Sequence, residues 1–175
     1  MSAASPSTNA AVDHHNVHVN GTDLHYVSAG DEGWPVLLVH GFPETWWTFH
    51  KLIPLLAERH RVFAVDLRGF GDSAVADPEF GSATAAEDLS ALIAHLEVGR
   101  VHLVGQDISG PTTFRVAAEH PELVESWTAI ETGLPGFESG ALRVPIAATF
   151  ALDDIAAAYE RFAAGGKLGK VVVTL

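Results

Sequence analysis

An α/β fold, with a mostly parallel sheet and an antiparallel hairpin at its amino end, is predicted by three features of the sequence. Short, largely apolar runs recur at Pro35–Val39, Arg61–Val65 and Val101–Val104, as expected of strands buried on both faces. Stretches of helical spacing separate them, so strand and helix alternate as they do in parallel sheets joined by crossover helices. Asn20-Gly21 lies between two alternating segments, and this pair best tolerates the positive φ values of a two-residue hairpin turn.

Each element follows in order. Residues 1–12 lack the basic and apolar regions of a signal peptide and read as a disordered tail. From Asp13, Val17 and Val19 lead into the turn, and Leu24, Tyr26 and Val27 form the return strand. Pro35–Val39 ends in His40-Gly41-Phe42-Pro43. Thr45 to Glu58 has helical spacing, with Trp46, Phe49, Leu52, Ile53 and Leu56 on one side. Arg61–Val65 ends in Asp66-Leu67-Arg68-Gly69-Phe70-Gly71-Asp72-Ser73. Thr84 followed by Glu87 reads as a capping box, opening a helix with Ala85, Leu89, Leu92, Ile93 and Leu96 on its face. Val101–Val104 runs into Gly105-Gln106-Asp107-Ile108-Ser109-Gly110-Pro111, then a helix through Glu119 and a strand near Val124–Ile130. Residues 13–138 are read as the core and residues 139–175 as a strand-helix-strand tail. In that tail Val144–Phe150 and Val171–Thr174 are the strands. Leu152, Ile155, Ala156, Tyr159, Phe162 and Ala163 mark the helix, and Gly165-Gly166 cap it.

Composition narrows the function. The 175 residues are 47% hydrophobic, which fits one packed domain and excludes a disordered or collagen-like chain. Ten basic against twenty-two acidic residues give a net charge of −12. That balance argues against nucleic acid and against an anionic membrane surface, both of which need clustered Lys and Arg. The absence of cysteine excludes disulfides, thiolate metal sites and Cys nucleophiles, and it fits a cytoplasmic compartment. No run reaches the roughly 18–20 apolar residues of a membrane span.

Ligands of open parallel sheets bind outside the carboxyl ends of the strands. Three motifs end strands there: His40–Pro43, Asp66–Ser73 and Gly105–Gly110. The third reads strand, Gly-x-Asp-x-Ser-Gly, helix, which is the pattern of a nucleophile elbow with Asp107 at its centre. A carboxylate nucleophile must be ionised, and the adjoining helix N-terminus favours negative charge. The plainer alternative is that Asp107 is an N-cap. Ser109 lies off the central place of the elbow and reads as a turn residue. The loop after the first parallel strand and the residue after the nucleophile supply oxyanion-hole amides in such sites. Phe42 and Ile108 are therefore the candidate donors, with His40 and Gly41 shaping the loop behind them.

These three motifs, with His40-Gly41-Phe42-Pro43-Glu44-Thr45-Trp46-Trp47 in full, resemble the epoxide hydrolase and haloalkane dehalogenase branch of the α/β-hydrolase superfamily over residues ~15–138. The resemblance implies an α/β-hydrolase core in which Asp107 attacks an epoxide or halide carbon and forms an alkyl-enzyme ester. A His-activated water would then hydrolyse that ester beside the oxyanion hole. It implies a small hydrophobic substrate such as an epoxide. Dehalogenases of the branch often carry Trp after the nucleophile, fluoroacetate-type enzymes Arg, and epoxide hydrolases commonly Trp as well, whereas this chain has Ile108.

The chain departs from the family pattern after Asp107. The superfamily places its base last, yet the only later histidine is His120 in a His-Pro helix end. Glu131 follows the next strand, as an orienting acid or as an ordinary loop charge. The core is expected to be truncated, without the lid and the base, and a non-catalytic remnant that binds another molecule is the alternative function. Exposed apolar surface would then favour self-association. Residues ~139–175 resemble the C-terminal end of zinc-type alcohol dehydrogenases and quinone oxidoreductases, which implies a junction near residues 138–140. No Gly-x-Gly-x-x-Gly accompanies that tail, so no dinucleotide cofactor is expected. His14, His15, His18 and His25 across the hairpin suit a metal or are plain surface histidines. The second reading is taken, with no metal and no other cofactor.

Overall fold

The computed structural model describes residues 12–75 and 81–133, together with the backbone of two further strands at 146–151 and 170–174. The chain divides into two compact units, Met1–Leu134 and Pro135–Leu175. The first holds a six-stranded sheet built from β1 (Asp13–Val19), β2 (Thr22–Ala29), β3 (Trp34–Val39), β4 (His60–Val65), β5 (Val101–Gln106) and β6 (Val124–Ile130). Their order is β1-β2-β4-β3-β5-β6. β3 runs parallel to β4 and β5, β5 runs parallel to β6, and β1 and β2 enter antiparallel. The hairpin turn falls at Asn20 and Gly21, with φ of 46° and 72° and Val19 facing Thr22. This is the primed turn that the Asn-Gly pair favours.

The unbroken apolar runs have the expected cause. Leu37 and Val39 enter one core with α2 (Ser82–Leu96) and α3 (Ser109–Glu119). Val36 and Leu38, pointing the other way, enter a second core with Phe49 and with Ile53 of α1 (Ile53–Ala57). The central strand is therefore covered on both faces, and alternation disappears from its sequence.

Two helices differ from the sequence reading. Thr45–Glu58 is not continuous: a 3-10 turn at Trp46–Phe49 is followed by α1, which starts beside Pro54. Proline lacks the N–H of an interior helical position but suits a first turn, so the helix restarts there. Thr84 is not an N-cap either. α2 begins at Ser82 with Gly81 at the cap and no side-chain capping bond, which leaves Thr84 inside the first turn.

The topology positions the site. After β3 the chain leaves toward α1 on one face, and after β5 toward α3 on the other. Adjacent parallel strands whose loops diverge in this way open a crevice at their carboxyl ends. In the second unit β7 (Ile146–Ala151) and β8 (Lys170–Thr174) pair in parallel. The helix read over residues 152–163, its Gly165-Gly166 cap, the tail at residues 1–11 and the junction at 138–140 lie outside the described residues.

Leu37 on the central strand is fully buried. Leu37→Ala is expected to lower stability by about 2–5 kcal/mol through lost transfer energy and a residual cavity. Urea unfolding would show this as an earlier midpoint at unchanged slope.

Candidate active site

Asp107 stands immediately after β5 with φ of 52°. This left-handed turn reverses the chain from strand to helix and lifts the side chain out of the sheet. Small residues make the turn sterically possible. A Cβ on Gly105 would fall onto the Thr113 side chain, and one on Gly110 onto Thr132. Ser109 is fully buried. Its hydroxyl accepts from the Gln106 N–H at 2.8 Å and lies 2.9 Å from the Val39 carbonyl, linking the turn to the end of β3.

The N-cap alternative for Asp107 does not hold. Ile108 occupies the cap position of α3 without a side-chain capping bond, and the Asp107 carboxylate turns the other way. Its Oδ2 accepts from the Phe42 N–H at 3.0 Å. Gly41 allows this approach, since a Cβ there would lie 2.7 Å from the Asp107 Cβ. The structure therefore brings Asp107, Phe42, Gly41 and Ile108 together at the crevice between β3 and β5.

His40 lies behind them, fully buried. Its Nδ1 bonds the Gly41 carbonyl at 2.8 Å, and its Nε2 accepts from the Leu67 N–H at 3.0 Å. One nitrogen donates and the other accepts, so the ring is neutral. Burial holds its pKa below the usual 6.5, against the opposing pull of the Gly41 carbonyl and the Asp66 and Glu44 charges.

Asp66 is a residue whose part the sequence did not disclose. It is 1% exposed, and its carboxylate joins three segments. Oδ1 accepts from the Trp46 N–H at 2.7 Å, and Oδ2 bonds His25 Nδ1 at 2.8 Å and the Asp72 N–H at 3.1 Å. His25, Asp66 and Asp72 bring ligand-type atoms close enough for a metal ion. The Asp66 oxygens, however, are already engaged by these donors.

The four histidines of the hairpin do not converge on one point. His14 Nδ1 lies 2.9 Å from His25 Nε2, His15 bonds Ser28 and His18 pairs with Asp23. Glu131, exposed and with φ of 47°, follows β6 one strand from Asp107, whose N–H donates to the Ile130 carbonyl at 3.0 Å. His120 stands at the opposite end of α3, 3.4 Å from a Glu122 oxygen. An 11-residue helix separates it from Asp107 by about 16 Å.

A cavity of about 290 Å³ lies beside Ile108, lined in part by Leu67, Phe70, Ala85 and Thr112. A larger one of about 420 Å³ opens beside Trp34 and Arg61, at the amino ends of the strands, where open α/β sheets do not bind ligands. Among the described residues no helix is long and apolar enough to cross a membrane.

A parallel sheet with a left-handed strand-to-helix turn, a turn-borne carboxylate and an amide bonded to it has the geometry of a nucleophile elbow. The family model described as alpha/beta hydrolase fold matches residues 35–165, and the chain belongs to that family. It is 35% identical over 144 residues to a soluble epoxide hydrolase of Corynebacterium sp. (strain C12), covering 82% of this chain and 50% of the relative. A fluoroacetate dehalogenase of Burkholderia sp. is 36% identical over 107 residues, covering 58% and 35%. The solved epoxide hydrolase CorEH superposes with a TM-score of 0.67 at 38% identity, over 70% of this chain and 43% of that one. The chain thus spans half or less of the length of these relatives. The family match continues to residue 165, across the junction read near residues 138–140.

The neutral, buried His40 sets a pH dependence. The unfolded chain binds that proton more readily, so its stabilising contribution is complete above about pH 6.5 and is lost as pH falls through the lower folded value. Between about pH 7 and pH 5 the wild-type chain is expected to lose more stability than His40→Gln. Urea unfolding of both proteins at the two pH values checks this.

Proposed function

We propose that this chain carries the nucleophile site of an epoxide hydrolase-type enzyme. The observation that carries the reading is the 3.0 Å bond from the Phe42 N–H to Asp107 Oδ2, made at a left-handed elbow. It fixes one carboxylate oxygen and leaves Oδ1 to attack. On this reading Oδ1 forms a bond to a ring carbon of the epoxide while the ring C–O bond breaks. The released alkoxide takes a proton from solvent or a general acid. Water then adds to the ester carbonyl carbon, the carbonyl oxygen gathers charge facing the Phe42 and Ile108 amides, and collapse releases a diol and restores Asp107. His40 and Gly41 support the amide loop, and Glu131 stands as the candidate orienting acid.

The substrate class is a small hydrophobic epoxide. The cavity beside Ile108, where Leu67, Phe70 and Ala85 stand alongside Arg68 and Ser82, leaves room for such a molecule, and the similarity to proteins named epoxide hydrolase supports the class. The second reading is a remnant that binds another molecule without turnover; among the described residues beyond Asp107 the one histidine, His120, stands at the far end of α3. For residues 139–175 the parallel pairing of β7 and β8, which requires a crossover between them, supports a strand-helix-strand tail and does not distinguish a reductase-like tail from the hydrolase match that runs to residue 165.

Intact mass after incubation of the full chain with styrene oxide, followed by peptide mapping, tests the proposal. One adduct on the Asp107 peptide is expected, absent in Asp107→Asn. A persistent adduct means that no base reaches the ester, and release of diol means that one does. Neither adduct nor diol would overturn the reading in favour of the binding remnant.

A further inference from the structure

We infer that Asp66, held by His25, is the positioning residue of the candidate oxyanion loop, acting on Phe42 through the backbone of Trp46. This rests on the reading of Asp107 as nucleophile. The loop from His40 to Trp46 carries the Phe42 amide, and both ends of that loop are tied to the end of β4. At the near end His40 Nε2 accepts from the Leu67 N–H. At the far end the Trp46 N–H donates to Asp66 Oδ1 at 2.7 Å. Between them a turn closes from Gly41 to Glu44 at 3.0 Å. Phe42 itself is 64% exposed, with its ring edge-on to Phe70 at 6.2 Å, so the direction of its N–H is constrained by these backbone anchors more than by burial.

Asp66 is built to serve as the far anchor. Its own N–H donates to the His25 carbonyl at 2.9 Å, and its carbonyl accepts from the Ser73 hydroxyl at 2.7 Å. That hydroxyl in turn accepts from the His25 N–H at 2.8 Å. The carboxylate cannot swing, because His25 Nδ1 and the Asp72 N–H hold Oδ2 while Oδ1 receives Trp46. Gly71 is without a side chain where a Cβ would collide with this carboxylate. The buried charge is thereby satisfied by donors from β2, from the oxyanion loop and from its own loop.

One backbone N–H carries the coupling, and proline can delete it. Trp46 begins the 3-10 turn, and Thr45 before it is extended, with φ of −142° and ψ of −178°, a conformation compatible with a following proline. Trp46→Ala removes the indole and keeps the N–H, whereas Trp46→Pro removes both. The two variants, checked for folding by circular dichroism, are compared in single-turnover alkylation of Asp107 by styrene oxide. Trp46→Pro is expected to reach a maximal rate about 10- to 100-fold below Trp46→Ala, the scale of losses from misplacement of reacting groups. The half-saturating concentration is expected to remain within about twofold, because only the direction of the carboxylate changes. Asp66→Asn is an independent variant, and it is expected to slow alkylation likewise. Its combination with Trp46→Pro should be no slower than the slower single change, since both cut one anchor. A bond of purely structural value would lower the melting temperature and leave maximal rates equal, which would overturn the inference. A wild-type chain that takes up no epoxide would overturn the functional reading and this inference together.

Discussion

Asp107 holds a φ of 52°, a conformation that costs an L residue about 1–2 kcal/mol, and the carboxyl edge of the sheet is arranged so that no other path is open. Gly105 and Gly110 let Thr113 and Thr132 approach more closely than any Cβ would allow. Ser109 fills the turn with a hydroxyl bonded to backbone on both sides. The Thr113 hydroxyl donates to the Ser109 carbonyl at 2.8 Å and accepts from the Trp127 indole N–H at 3.0 Å. Strain of this kind persists only where neighbours over-determine it. The result is a carboxylate presented at the crevice in one orientation.

The second strand end, at Asp66, answers the first by different means. Asp107 is exposed and fixed by backbone geometry, while Asp66 is buried and fixed by donors. A buried carboxylate is tolerable only when its acceptors are filled, so the loops that supply those donors cannot drift without exposing a charge to an apolar interior. Further along the same loop, Arg68 meets Asp88 of α2 at 2.6 Å through both Nε and Nη2. Asp88 also accepts from Asn20 of the hairpin turn at 2.8 Å. The loop after β4 is thus tied to the hairpin and to a helix by charges that sit inside the core.

The parts legible in the sequence are those set by local chemistry or by burial. Val36 to Val39 announce a doubly covered strand because each residue meets a core, and Asn20-Gly21 announces its turn because few residues accept those φ values. The Gly-x-Asp-x-Ser-Gly motif was legible for the same steric reason. What was hidden depends on distant backbone. Asp66 meets amides of Trp46 and Asp72, and amides leave no mark in a sequence. The hairpin histidines were visible as a group, but cross-strand register assigns their partners, setting His18 opposite Asp23. Helical spacing over Thr45–Glu58 picked out Phe49 and Ile53, which are buried, but also Leu52, which is exposed, and Pro54 breaks the element in a way that spacing does not register.

The bond from Phe42 to Asp107 also bears on which half of the proposed chemistry these residues favour. It makes the two carboxylate oxygens unequal, with one solvated by a fixed amide and the other less encumbered and better placed to attack. Once an ester forms, its carbonyl oxygen is neutral and the same bond weakens. It strengthens again only as water adds and charge returns to that oxygen, which is the differential stabilisation that catalysis requires. Addition of water needs a base at the ester carbon, however. Among the described residues the one histidine beyond Asp107 lies at the far end of α3, turned toward Glu122. On this reading the described residues are better fitted to make the ester than to remove it, and the slower half of the cycle depends on a group that approaches the crevice from outside them.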